Sequence, residues 1–346
     1  MKGSLNVEKI REDFPIFRNN PDLIFLDNAS TTQKPQQVIN TLTHYYENYN
    51  SNIHRGIYTI AEKATAAYED TRDKVAQFIQ SEDRRSIVFT RGTTESINLV
   101  ASSWGQENLK ADDEVLITEM EHHSNIIPWQ LICEKTGASL KYIPISEDGM
   151  LDLSNPQKYF REKTKIVCVI HQSNVFGTIN PIAEIVKMAH DVGALVLVDS
   201  AQSVPHHSVD VSKLGCDFFA FSGHKMMGPT GVGVLYARQE ILKEMNPFMG
   251  GGEMIREVSM EKSTWNDIPW KFEAGTPNIA QVIGLGAAID YLNEIGLQSI
   301  FDYEKKLLGY GQEKLQKIPG LTIYGTSKNK GAVISFNITN IHPHDV

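Results

Sequence analysis

The chain is poor in the features that would make it a membrane, secreted or nucleic-acid-binding protein. It has only three cysteines, Cys133, Cys168 and Cys216. Their odd number and irregular spacing fit neither a disulfide framework nor a Cys-x-x-Cys metal or redox motif, so a reducing, cytoplasmic setting is expected. No apolar run approaches the ~20 residues of a membrane span, and Met-Lys-Gly-Ser-Leu at the start lacks the apolar core of a secretory signal. Positive charge is also short, with 33 Lys and Arg against 42 Asp and Glu, a net charge of −9. That balance opposes a broad nucleic-acid surface while leaving room for a local basic pocket. Repeats and low-complexity tracts are missing as well. What is present is a globular composition, 41% hydrophobic and 22% charged, over 346 residues. One large domain with a smaller companion is therefore expected.

Two apolar runs organise the chain. Ala194 to Val198 delivers Asp199 to the end of a buried strand, and Asp217 to Phe221 delivers Ser222, His224 and Lys225 to the end of another. In open parallel α/β sheets ligands bind at such carboxyl ends. An acid on one strand end with a lysine on a second is the pairing a pyridoxal 5'-phosphate (PLP) site needs. The amine forms a Schiff base with the cofactor, and the carboxylate keeps the ring nitrogen protonated. Taken singly, Asp199 and Lys225 are ordinary, since an Asp often follows a strand and a Lys is usually a solvated surface group.

The remaining elements read in order. Residues 4–13 predict a short amphipathic helix stopped by Phe14-Pro15. Leu23 to Leu26 predicts a brief strand running into Asp27-Asn28-Ala29-Ser30, an Asx-type turn on its own terms. Helices are predicted over Val38–Tyr49 and Thr59–Gln80, separated by the loop holding His54-Arg55, which by itself reads as solvated charge. After a strand at Ser86–Phe89, Arg91-Gly92-Thr93-Thr94-Glu95 opens a helix. Its free N–H groups and hydroxyls suit an anion, and a plain N-cap explains the same residues equally well. Strands are predicted at Glu114–Thr118, before Glu121-His122-His123-Ser124-Asn125, and at Lys165–Ile170, before the turn former Asn174. The adjacent histidines make a poor metal site, because successive side chains diverge. Gly228-Pro229-Thr230-Gly231-Val232-Gly233 lacks the third glycine of a dinucleotide fingerprint and reads as close packing beneath Lys225. Helices over Ile279–Leu308 and Tyr303–Leu315 lead to strands at Leu321–Tyr324 and Ala332–Asn337.

Asp199-x-x-Gln202, Phe221-Ser222-Gly223-His224-Lys225, Glu121-His122-His123-Ser124-Asn125, Gly92-Thr93-Thr94-Glu95 and Phe272-Glu273-Ala274-Gly275-Thr276-Pro277-Asn278 together resemble the class V aminotransferase group of fold-type I PLP enzymes. The match extends over essentially the whole chain and is nearest to the SufS-type cysteine desulfurases and their selenocysteine lyase relatives. The resemblance implies an α/β fold, with a large three-layer PLP-binding domain (21–278) on a mainly parallel sheet. A smaller α+β domain (1–20 and 279–346) accompanies it, and its C-terminal part is absent from this sequence.

For the cofactor the resemblance implies Lys225 as the Schiff-base lysine, Asp199 on the ring nitrogen and His122 over the ring face, where it relays protons. It puts Asn174 and Gln202 near the phenolic oxygen, and Thr93, Thr94, Ser222, His224 and Thr276 on the phosphate. Thr276 reaches the partner's phosphate in a homodimer with shared sites. Asn28, Ala29, His54 and Arg55 are implied to meet the substrate. The implied reaction converts L-cysteine, or L-selenocysteine, to alanine and passes sulfur as a persulfide to an acceptor of the SufE or SufU type for iron-sulfur cluster assembly. Relatives carry an Arg-x-Gly-His-His-Cys loop that this sequence does not contain, and its three cysteines read as packing residues. The alternatives are a truncated PLP-binding form without desulfurase activity and another class V enzyme, an aminotransferase or a kynureninase-like hydrolase.

Overall fold

The computed structural model describes residues 5–346. Its centre is a seven-stranded sheet of β1 (Ile87–Thr90), β2 (Glu114–Thr118), β3 (Ser139–Ile143), β4 (Thr164–Ile170), β5 (Leu195–Asp199), β6 (Phe218–Ser222) and β7 (Gly233–Ala237). The spatial order is β1-β7-β6-β5-β4-β2-β3. All pairings are parallel except those of β7, which is antiparallel to both β1 and β6. Parallel strands covered on both faces need apolar residues throughout. Accordingly β2 and β6 are buried at every position.

Around this sheet the chain forms α1 (Val7–Glu12), α2 (Pro15–Asn19), α3 (Gln36–Asn48), α4 (Thr59–Phe78), α5 (Thr93–Val100), α6 (Gln106–Asn108), α7 (Ile127–Thr136), α8 (Ile182–His190), α9 (Val211–Leu214), α10 (Gln239–Glu244), α11 (Ile279–Ile295) and α12 (Leu297–Leu315). Successive strand side chains point to opposite faces, so β5 and β6 feed two cores. Val196, Val198, Phe219 and Phe221 join the cluster with α4, α8 and α11. Leu197, Phe218 and Ala220 join the one with α5 and α7. Helix α8 buries Ile182, Ile185, Val186 and Ala189, the spacing of one helical face. Helix α11 is buried on most sides and packs against α3 and α4. Two hairpins, β8 (Ile255–Val258) with β9 (Ser263–Trp265) and β10 (Leu321–Tyr324) with β11 (Ser335–Ile338), lie outside the large sheet. No helix among the described residues is long and apolar enough to cross a membrane.

Three local expectations are corrected. Leu23–Leu26 is not a strand: it has no ladder partner, and Ile24 and Leu26 are 81% and 89% exposed. Apolar alternation supplies a strand face, but a strand exists only when a neighbour takes its backbone groups. The last strand begins at Ser335 instead of Ala332, because Lys330 bridges to Thr178 and Gly331 donates to the Gly177 carbonyl (2.8 Å), which pulls the preceding residues aside. The first helix is Val7–Glu12, capped by the Asn6 side chain, and Pro15 opens a second helix. Ser4 lies outside the described residues.

Candidate active site

The register of the central strands builds the site. Ile170 pairs with Asp199 and Asp199 with Ala220, so β4 and β5 end at one level and β6 runs two residues further, to Ser222 opposite Gly233. Their carboxyl ends open into a cavity of 460 Å³ lined by Asp199, Gln202, Ser222, His224 and Lys225, with Asn174 from the turn after β4. Across it stand Thr93 and Thr94 from the start of α5, His122 after β2, and Ala29. This volume falls in the range of small-molecule and cofactor sites.

Asp199 is fully buried. Burial pushes its carboxyl pKa up, while the Ala201 N–H, donating to Oδ1 at 3.0 Å, and the Lys225 charge pull it back. Oδ2 has no hydrogen-bond partner among the described residues. Nor does the Lys225 amine, whose pKa is lowered by burial and supported in part by Asp199. A carboxylate oxygen and an amine, both desolvated and both unpaired, are open to a ligand that satisfies them.

Elsewhere on the cavity wall the polar groups are hydroxyls and backbone amides. Ser222 Oγ accepts from the Thr93 N–H and bonds Thr93 Oγ1, each at 2.8 Å. Thr94 Oγ1 meets Ser124 Oγ at 2.7 Å, and Ser124 also meets His122 Nδ1 at 3.0 Å. The start of α5 can approach β6 because β7 begins with Gly233, where a Cβ would lie 2.4 Å from the Gly92 Cα. The His122 pKa is lowered by burial, then by Lys225 and His123. A neutral imidazole is the form that moves protons near neutrality.

The turn carrying Lys225 is tied down from two sides. The His224 carbonyl accepts from the Thr32 N–H (3.0 Å), the Thr31 and Thr32 hydroxyls (3.2 and 3.0 Å) and Lys34 Nζ (3.1 Å). Beneath it the Gly223 carbonyl accepts from Gly228 N, at a spacing where a Cβ on Gly228 would come within 2.9 Å of that oxygen. This is the tight packing expected of the glycine-rich stretch.

Of the residues singled out from sequence, ten converge on this cavity: Ala29, Thr93, Thr94, His122, Asn174, Asp199, Gln202, Ser222, His224 and Lys225. Gln202 Nε2 donates to the Ala29 carbonyl at 2.6 Å, fixing that segment against the cavity wall. Asn28 is not among the lining residues. His54 and Arg55 sit elsewhere, with His54 Nε2 3.0 Å from Glu69 and Arg55 Nε 3.1 Å from Glu253. Thr276 lines a different cleft beside Tyr68, Phe89 and Glu273.

Glu121 is a residue of the site region that sequence pattern does not single out. It is fully buried, accepting from the Thr118 hydroxyl (2.6 Å), the Asn125 amide (2.6 Å) and the Ile170 N–H (2.9 Å). Burial raises its pKa to about 8 against these three donors, and the Asp199 charge adds to the rise. Its place within Glu-His-His-Ser-Asn was the only signal available.

The cavity fits PLP. It joins an unpaired amine, a buried carboxylate with one unpaired oxygen and a cluster of hydroxyls and N–H groups at the start of a helix, the three polar demands of a pyridine aldehyde bearing a phosphate. PLP is the cofactor.

Comparison with known proteins agrees. The model of the class V aminotransferase family matches residues 24–346. A probable cysteine desulfurase from Halalkalibacterium halodurans is 52% identical over 99% of this chain and 85% of its own length. A cysteine desulfurase from Salmonella agona is 48% identical over 98% of this chain and 84% of its own. The apo structure of a cysteine desulfurase from Thermococcus onnurineus NA1 superposes with a TM-score of 0.94 at 40% identity, covering 99% of this chain and 85% of that one. The chain belongs to the class V aminotransferase family and, within it, to the cysteine desulfurases.

Proposed function

We propose that this protein removes the sulfur of L-cysteine, leaving alanine, and hands it on for iron-sulfur cluster assembly. The observation that carries the reading is the pairing of an unpartnered Lys225 amine with a buried Asp199 carboxylate, one oxygen of which is unpartnered, at adjacent strand ends. When bound, the cofactor withdraws electrons from the substrate α-carbon and makes its proton acidic.

Lys225 would hold the cofactor and then serve as the base that takes and returns the α-proton, a task suited to an amine whose pKa burial has lowered. The Asp199 carboxylate would keep a proton on the cofactor's ring nitrogen. With the cofactor bound, His122 would lie against its ring, and Asn174 and Gln202 would be the side chains placed to hydrogen-bond it. Thr93, Thr94, Ser222 and His224 hold the phosphate, and Ala29 with the neighbouring Asn28 borders the substrate.

Thr276, His54 and Arg55, which lie outside their own chain's cavity, serve the partner's site in a homodimer. The division into residues 21–278 and 1–20 with 279–346 belongs to the same reading. So do L-selenocysteine as a second substrate, a SufE- or SufU-type acceptor and a cytoplasmic location.

Sulfur transfer needs a thiolate that attacks the substrate Sγ as the Cβ–Sγ bond breaks. None of the three cysteines here suits that role. All are buried, and burial raises the thiol pKa to about 11 at Cys133, about 12 at Cys216 and well above its ordinary value at Cys168. The sulfur would go to a thiol other than these three. The same burial favours a second reading, a form that binds PLP without desulfurase activity. Incubating the PLP-loaded protein with L-cysteine, with and without an added small thiol, tests both. Alanine with equimolar sulfide in the thiol-containing reaction supports the desulfurase. Absence of alanine in both reactions, with PLP bound, leaves the binding form. A keto acid in place of alanine would mean an aminotransferase.

A further inference from the structure

Arg72 stands in the middle of α4 with no solvent exposure. Its Nη1 and Nη2 donate to the two oxygens of Glu273 at 2.7 and 2.9 Å, and Nε and Nη2 donate to Glu69 at 3.1 and 3.2 Å. Nη1 also donates to the Ile87 carbonyl at 2.8 Å. Glu273 accepts further from the Tyr68 hydroxyl (3.1 Å) and the Phe89 N–H (2.8 Å). Glu69 is met by His54 Nε2 at 3.0 Å, by Trp270 Nε1 at 3.3 Å and by Arg84. One ion pair further out, Arg55 Nε lies 3.1 Å from Glu253, and the Gly275 N–H donates to the Gly252 carbonyl at 2.9 Å.

The buried cluster and the Arg55–Glu253 pair at its exposed edge together tie three loops to one helix. They are the loop of His54 and Arg55, the loop of Gly252 and Glu253, and the segment in which Glu273 is followed three residues later by Thr276. Stability does not explain it, since a buried ion network is often no better than apolar packing of the same volume. What such a network supplies is a fixed register, because bidentate guanidinium–carboxylate geometry tolerates little displacement. With Glu273 immobilised by four donors, Thr276 can stray no further than about 10 Å of extended chain allows.

We infer that Arg72, with Glu273 and Glu69, is a clamp that aims Thr276 and the His54–Arg55 loop at the partner subunit's site, so that cofactor phosphate binding in one subunit is set by an ion cluster buried in the other. These are positioning residues acting through Thr276. The inference rests on the proposed reading of Thr276 as a ligand of the partner's phosphate.

The test uses PLP-loaded hybrid dimers, purified with two affinity tags, in which one chain carries Lys225→Ala and only the other can hold the cofactor covalently. PLP dissociation is followed by the absorbance of the bound cofactor. Glu273→Gln in the Lys225→Ala chain is expected to weaken PLP at the intact site roughly tenfold, the worth of one charge-assisted hydrogen bond. The same change in the chain that keeps Lys225 is expected to leave that affinity unchanged. Equal weakening in both hybrids, or weakening only in the second, overturns the clamp, because a merely structural defect does not respect which chain carries it. Thr276→Ala placed in the same two positions separates the layers. If it weakens PLP only from the Lys225→Ala chain while Glu273→Gln does not, the clamp fails alone; if it shows no such preference, the reading beneath it fails as well. Should Glu273→Gln not fold, Tyr68→Phe removes one donor to Glu273 and is expected to give the same one-sided pattern at smaller size, with a two-sided or absent effect counting against the clamp.

Discussion

Two buried polar regions of this molecule sit within the same fold and are finished in opposite ways. In the Arg72 cluster both carboxylates and the guanidinium are paired, and Glu273 alone accepts four hydrogen bonds. At the ends of β5 and β6 the Lys225 amine and one Asp199 oxygen are left with no protein partner. Both arrangements cost desolvation, but only the second leaves that cost for a ligand to offset. Paired groups hold backbone; unpaired ones wait for chemistry.

The difference can be broken from either side, starting where the effect is largest. Lys225→Ala is expected to lower alanine release from L-cysteine by about 10⁴-fold while leaving the unfolding midpoint nearly unchanged, because its amine holds nothing in the protein. Arg72→Met should do the reverse first. It strands the Glu273 carboxylate in the core and is expected to cost about 3–5 kcal/mol of stability, read by urea unfolding. If Arg72→Met were harmless and Lys225→Ala strongly destabilising, the contrast would be inverted.

Asp199→Asn keeps the shape and removes the charge. It is expected to retain PLP and to lose roughly 10²-fold in turnover, measured at saturating PLP. Thr94→Ala removes one hydroxyl from the helix start and should raise the PLP dissociation constant about tenfold without changing the rate of the loaded enzyme.

The remaining expected effect, read as a pH dependence, concerns Glu121. Its pKa is raised on folding from the ordinary 4.5 to about 8, so the folded state favours the protonated form. Its contribution to stability is fully present below the unfolded pKa and is lost as pH rises through the folded value. Glu121→Gln cannot lose a proton, so its melting temperature relative to the wild type should climb between pH 5 and pH 9. A flat difference would mean that the three donors keep the carboxylate ionised throughout.

The cavity was legible in the sequence because its parts sit at strand ends. Apolar runs marked β5 and β6 and put Asp199 and Lys225 at or just past their carboxyl ends, whereas the register that sets those ends side by side is given only by the structure. The Arg72 cluster was not legible in the same way. Arg72 occupies a helix whose repeating Ala64, Tyr68 and Val75 predict only a buried face, and nothing local says that an arginine belongs on it. Its partner Glu273 lies 201 residues away, beyond the reach of any local pattern. Leu23–Leu26 failed for a related reason, since alternation describes a side-chain pattern and not the neighbour a strand requires. Glu121 stands within Glu-His-His-Ser-Asn, but its burial depends on the Ile170 N–H, which belongs to a strand 49 residues away.

The most direct test of Lys225 as the cofactor's anchor is borohydride reduction of the PLP-loaded protein, followed by digestion and mass spectrometry of the modified peptide. The expected result is a single phosphopyridoxyl group on Lys225, lost in the Lys225→Ala protein. A label on the neighbouring Lys34, or spread over surface lysines with Lys225 unmodified, would contradict it.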